Sequence, residues 1–198
     1  MQKLTVEQKE LLNTIMSNKE NLEILFRLAN KQDINARELK IGDTVEFAGL
    51  HWSRFAEDEN GNAYMLADES YGKMSFGSNN DWRESPIRKK LNGELYKKII
   101  EDLGEEALVP IKTDLFSHDG LKDYGVCEDK ISILTYDLYR NNRGSIKPFN
   151  TWFWLSTPDS TPSGCHSGCA LFVSSFGDVL YSDDGYGKAV RPFCILKS

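Results

Sequence analysis

The sequence predicts an α+β fold, and three observations carry that prediction. Helical and extended patterns are grouped along the chain instead of alternating as βα units. The last fifty residues are rich in aromatic and β-branched positions. No glycine-rich phosphate loop follows any predicted strand, which excludes dinucleotide-binding and P-loop designs. With 198 residues, 40% of them hydrophobic and 27% charged, the chain can bury a core of ordinary size.

Residues 5–30 have helical spacing. Thr5 and Gln8 form a capping box. Leu11, Leu12, Ile15 and Met16 make one apolar stripe, and Leu22, Leu25, Phe26 and Ala29 make a second. Residues 1–38 are therefore expected to be a helical segment that docks on the main domain or drives homo-oligomerisation through residues 5–30. The main domain is expected to span residues 39–198.

That domain opens with alternating Val45, Phe47, Trp52 and Phe55. A turn over Asp58–Asn62 follows, in which Gly61 supplies a positive φ. Residues 71–83 read as a loop. Ser85 and Pro86 begin a helix, Ser85 as N-cap and Pro86 at the first position, where its missing N–H costs nothing. Ile87, Leu91, Leu95, Ile99 and Leu103 recur every four residues. Asn92-Gly93 interrupts that run and Gly104 stops it. Leu108 to Ile111 reads as a strand and Thr113 to Asp129 as a long polar loop. A short helix capped by Ser132 or Thr135 runs through Tyr139.

The C-terminal segment reads mostly as strand. It comprises the run Trp152 to Leu155, a hairpin over Ala170–Tyr181 turning at Ser174–Asp178, and a final strand from Ala189 to Leu196. Trp52, Trp82, Trp152 and Trp154 are expected in the core, because large aromatics dominate burial in small β domains. Arg191 is expected to tie a loop carbonyl or carboxylate in place.

The net charge of -6 opposes binding to nucleic-acid phosphates. No apolar window reaches the about 20 residues of a membrane span, so no membrane insertion is expected. Residues 1–10 lack the apolar centre of a signal peptide, so the chain is expected to be cytoplasmic as synthesised, with free thiols. Association with a virion would then come through assembly or lysis.

Three pieces of sequence resemble one family. Trp82-Arg83-Glu84-Ser85-Pro86-Ile87-Arg88-Lys89-Lys90-Leu91-Asn92 is similar to the W-x-x-S-x-[IL]-R-x-x-L-N signature of a family of unknown function common in Firmicutes and their phages. Trp154-Leu155-Ser156-Thr157-Pro158 resembles its W-L-[AR]-[ST]-P strand, and Val190-Arg191-Pro192 its terminal G-V-R-P strand. Gly42-Asp43 and Trp52 resemble its opening hairpin. Ala189 departs from the family's usual glycine. The resemblance covers residues 40–198. It implies a C-type lectin-like fold, a small twisted antiparallel sheet with flanking helices and long loops. The variable proteins of diversity-generating retroelements and the formylglycine-generating enzymes share that fold. A bacteriophage or prophage setting is implied by the resemblance alone.

Sheets of this kind fix loops, and the loops carry specificity. Residues 159–164 and 182–187 mix Tyr, Ser, Gly and Asp, a composition that combines rigid contact area with adaptable hydrogen bonding. The expected ligand-binding residues are Asp159, His166, Phe176, Tyr181, Asp183, Asp184 and Tyr186. The expected ligand is a protein or a glycan. No cofactor is expected. Asp178, Asp183 and Asp184 lack the D-x-D-x-D-G spacing of a calcium loop, and Cys165-His166-Ser167-Gly168-Cys169 lacks the second pair a zinc site needs. No catalytic set stands out. Cys165 and Cys169 leave one enzymatic alternative open, a formylglycine-generating-like oxidase. These two cysteines are separated by three residues where those enzymes have four. A second alternative is a structural role in assembly through the N-terminal helices.

Overall fold

In this computed structural model the described residues are Thr14, Gln32 and 34–198. Thr14 apart, the expected helical arm over residues 5–30, and with it the oligomerisation role, lies outside them. From residue 34 the chain is mixed α+β, mostly sheet with short helices. Among the described residues no helix is long and apolar enough to cross a membrane.

One sheet has the order β1 (Thr44–Phe47), β2 (Leu50–Glu57), β3 (Ala63–Ala67), β13 (Pro192–Leu196) and β5 (Leu108–Val109), with β8 (Ile131–Ile133) also pairing β13. The last strand thus sits at the centre of the first sheet, antiparallel to β3. Every residue of β13 is buried. Pro192, with no N–H to give, begins the strand. The second sheet has the order β11 (Val179–Asp183), β10 (Cys169–Val173), β9 (Phe153–Pro158), β12 (Lys188–Ala189) and β4 (Lys73–Met74). It too leaves two open edges. Ala189 pairs Phe153 within this sheet and needs no positive φ.

The segment read as a polar loop between Thr113 and Asp129 holds a hairpin instead, β6 (Ile111–Asp114) paired with β7 (Val126–Asp129). Its inward positions include Thr113, Cys127 and Asp129, so polar residues hide the alternation that marks a strand.

The four-residue apolar run forms helix α1 (Pro86–Lys90), a widened turn over Leu91–Leu95 and helix α2 (Tyr96–Leu103). The widening falls at Asn92-Gly93, where the sequence predicts an interruption. The Ser85 hydroxyl accepts from the Ile87 N–H and caps α1. Gly104 ends α2 at φ +90°. Thr135 caps α3 (Tyr136–Asn142) through the Leu138 N–H.

The family-like motif is explained by what its residues hold. Trp82 is fully buried and its indole N–H donates to Asp129 Oδ2 at 2.9 Å. Arg88 Nε donates to the other oxygen of Asp129 at 2.7 Å. The Asn92 side chain accepts from the Lys130 and Ile131 N–H groups and donates to the Ile131 carbonyl. Together they clamp the helix to the β7–β8 segment. Arg191 is buried, donates to the carbonyls of Ala67 and Lys147, and lies over the Phe149 ring. Burial lowers its guanidinium pKa to about 10.

Candidate functional site

The second sheet ends in an edge strand with apolar side chains in solvent. Five large apolar side chains of this sheet and its turns are exposed: Phe176 (86%), Tyr186 (67%), Tyr181 (58%), Trp152 (51%) and Leu180 (49%). Trp152 is therefore a surface residue, against the expectation that all four tryptophans are core. It precedes β9 and has only the Phe172 ring beside it, 5.2 Å away, while Trp52, Trp82 and Trp154 are fully buried.

Strand register distributes these residues. β11 pairs β10 with Leu171 opposite Tyr181 and Phe172 opposite Leu180. Side chains alternate along a strand, so Tyr181 and Leu180 face opposite sides. The seven expected binding residues consequently occupy three places, and the structure does not gather them into one surface.

The first place holds Asp159, His166 and Tyr181. The His166 ring stacks on Tyr181 with centroids 5.7 Å apart and planes at 21°. Its Nδ1 lies 3.1 Å from Asp159 Oδ2, and His118 Nδ1 lies 3.8 Å from Asp159 Oδ1. Asp159 itself is buried, and its N–H donates to the Cys169 carbonyl. It anchors the loop and holds His166 from a buried position.

The second place is the β10–β11 turn. Phe176 stands at its tip, and Gly177 takes φ +84° to close it. The Tyr139 hydroxyl donates to the Gly177 carbonyl at 3.0 Å and ties the turn to α3.

The third place is the β11–β12 turn. Asp183 Oδ1 accepts from the Gly185 N–H at 2.9 Å, a local turn contact. The Asp184 N–H donates to Gly168, and its carbonyl accepts from Phe76. Burial, followed by the charge of Asp183, raises the Asp184 carboxyl above its usual range. Tyr186, in the same turn, donates its N–H to the Asp183 carbonyl, and its ring centroid is 6.0 Å from Lys188 Nζ.

Residues of the polar segment 115–125 and of the loop before α1 brace these loops. Asp119 accepts from the Ser160 hydroxyl, and Asp123 accepts from the Thr161 hydroxyl and the Ser163 N–H. Hydrogen bonds from Ser117 and then Ser160 hold the Asp119 carboxyl below its usual range, and those from Thr161 and Ser163 do the same for Asp123. Gly164 permits the close approach: a Cβ there would stand 2.0 Å from Ser160 Oγ and 2.9 Å from the Leu121 side chain. The buried Asn80 side chain donates to the carbonyls of Ser160 and Cys169 and accepts from the Tyr124 hydroxyl. These loops are thus pinned by polar side chains, a rigid support for the groups they carry.

Cys165 is exposed in a turn and Cys169 begins β10, half-buried. Burial raises the Cys169 thiol pKa, and the charges of Asp159, Asp183 and Asp184 raise it further. A nucleophilic thiolate needs the opposite surroundings. Among the described residues no cluster of three His, Cys, Asp or Glu side chains is placed to hold a metal ion.

Lys188 was not among the expected residues, and it is the least ordinary group in the region. It is 5% exposed, with Nζ 4.3 Å from the Trp154 ring centroid and 4.5 Å from that of Phe172. Its Nζ donates to Ser182 Oγ at 2.7 Å. The sequence carries a faint signal for it, a lysine directly before the apolar Ala189-Val190.

Comparison of the chain with protein-family models, curated proteins and solved structures finds no match.

Proposed function

We propose that this chain is a non-catalytic ligand-binding protein, in which a C-type lectin-like scaffold presents its second sheet to a protein or glycan. The observation that supports this most is the number of large apolar side chains that the second sheet and its turns leave exposed. Leu180 and Tyr181 lie in β11, Phe176 and Tyr186 in the turns before and after it, and Trp152 just ahead of β9. Exposed aromatic groups on a hydrogen-bonded frame give contact area with little conformational entropy to lose. The braces from Asn80, Asp119 and Asp123 serve the same end by limiting loop motion before a ligand arrives. The raised thiol of Cys169 disfavours the oxidase alternative.

The test is a combined variant, Phe176→Ser with Tyr181→Ser and Tyr186→Ser. Wild type and variant are screened on a glycan array and against a displayed protein library. The expected result is a wild-type ligand whose affinity falls at least about tenfold in the variant, with melting temperature unchanged. Equal binding by both proteins overturns the reading.

A further inference from the structure

We propose that the pocket between Trp152 and β12 binds the acidic group of a carboxylate-bearing sugar. This rests on the ligand-binding reading and names the class of ligand. The pocket has a volume of about 420 Å³, and its walls include Ser70, Lys73, Asn150, Trp152, Ser175 and Lys188.

Lys188 is the reason for an anion. An ammonium carries three donors. Ser182 takes one, and the rings of Trp154, Phe172 and, at 6.0 Å, Tyr186 lie around the ammonium. Among the described residues no carboxylate lies within ion-pair distance of Nζ. The charged groups that act on it are Lys73, which repels, and Asp183, which attracts from farther off and already accepts from the Gly185 N–H. Burying a cation so incompletely paired is unfavourable, and a methionine of similar length would fill the same space without that cost. The position makes sense once an external anion supplies the missing partner. Burial and Lys73 both lower the Lys188 pKa, which is the mark of an ammonium short of counter-charge.

Trp152 is the reason for a sugar. Its half-exposed indole leans on Phe172 at 5.2 Å and 32°, leaving an aromatic face beside the lysines. Saccharides use such a face for their apolar C–H surface, while Ser70, Asn150 and Ser175 offer hydroxyl and amide partners at the rim. The side chain of an acidic peptide would use the lysines alone.

The experiment is isothermal titration of the whole chain at low ionic strength. The probes are 3′-sialyllactose, a hyaluronan tetrasaccharide, lactose, a hexaglutamate peptide and sodium sulfate. The proteins are wild type, Lys188→Met, Lys73→Ala, Trp152→Ala and the Phe176/Tyr181/Tyr186 variant. At least one acidic saccharide is expected to bind about tenfold or more tightly than lactose, and Lys188→Met to remove that preference. Lys73→Ala is expected to weaken it less, since Lys73 is exposed. Lys188→Met should melt at the same temperature as wild type or higher, which separates lost binding from lost folding. The proposal falls if neither acidic saccharide exceeds lactose, if Lys188→Met keeps the preference, or if hexaglutamate or sulfate binds as tightly. In the event that Lys188→Met changes nothing and the aromatic variant loses its ligand, the acidic-sugar assignment falls and the ligand-binding reading stands. If the aromatic variant also keeps full binding, both fall.

Discussion

β1 and β11 are both edge strands, one in each sheet, and they treat their edges in opposite ways. The exposed residues of β1 are Thr44 and the charged Glu46. Glu46 faces His51 across the β1–β2 pair, and His51 in turn bonds Glu69. Charge on an open edge discourages pairing with other chains. β11 instead exposes Leu180 and Tyr181, with His166 stacked on the latter. An apolar edge is a liability unless something covers it. The difference teaches that the two sheets are finished differently at these edges, β1 with a network of charged side chains and β11 with exposed apolar ones.

If that contrast is right, the two sheets should respond to substitution in opposite senses. The largest effect belongs to the packing that supports the first sheet and its helix. Trp82→Ala should cost about 3–5 kcal/mol, read by denaturant unfolding, because it leaves a void beside Phe76 and removes a donor from Asp129. Tyr181→Ser should change stability by about 0.5 kcal/mol or less, as an exposed edge substitution does. A loss at Tyr181 as large as that at Trp82 would break the comparison, since the edge would then be structural.

Asn80→Ala tests the link between the two regions and should have an intermediate effect. Its amide joins Ser160, Cys169 and Tyr124, and removing it leaves two buried carbonyls without that donor. The expected cost is about 1–3 kcal/mol. Amide exchange should rise selectively over 159–169 relative to β13. Uniform loss of protection across both sheets would mean that the loops are not held separately.

What was legible in the sequence was whatever is determined locally. Ser85, Thr135, Gly61, Gly104 and Gly177 each act within a few residues, and each stands in the role its type predicts. The β6–β7 hairpin was hidden because Asp129 occupies an inward position to receive Trp82 and Arg88, groups more than forty residues distant. The site suffered the same way. Composition located the loops, but the side that each residue faces depends on the Leu171–Tyr181 register, and the burial of Asp159 depends on loop 117–123. Lys188 becomes unusual only when Trp154 and Phe172 are brought around it.

The smallest expected effect lies at the charged edge and is one of pH. His51 Nδ1 is 2.5 Å from Glu69 Oε1, and Glu46 lies 3.9 Å from its other ring nitrogen. The hydrogen bond to Glu69 and the charge of that carboxylate raise the His51 pKa above its ordinary 6.5. The folded protein therefore holds the proton more tightly than the unfolded chain. The resulting stabilisation is complete below pH 6.5 and is lost as pH rises through the higher folded value. Both partners are solvent-exposed, so salt should weaken the effect. A proton NMR titration should place the His51 midpoint above 6.5, and Glu69→Gln should move it down. A wild-type midpoint at or below 6.5 would remove the electrostatic link from Glu46 through His51 to Glu69, and with it the claim that charge, more than shape, guards the β1 edge.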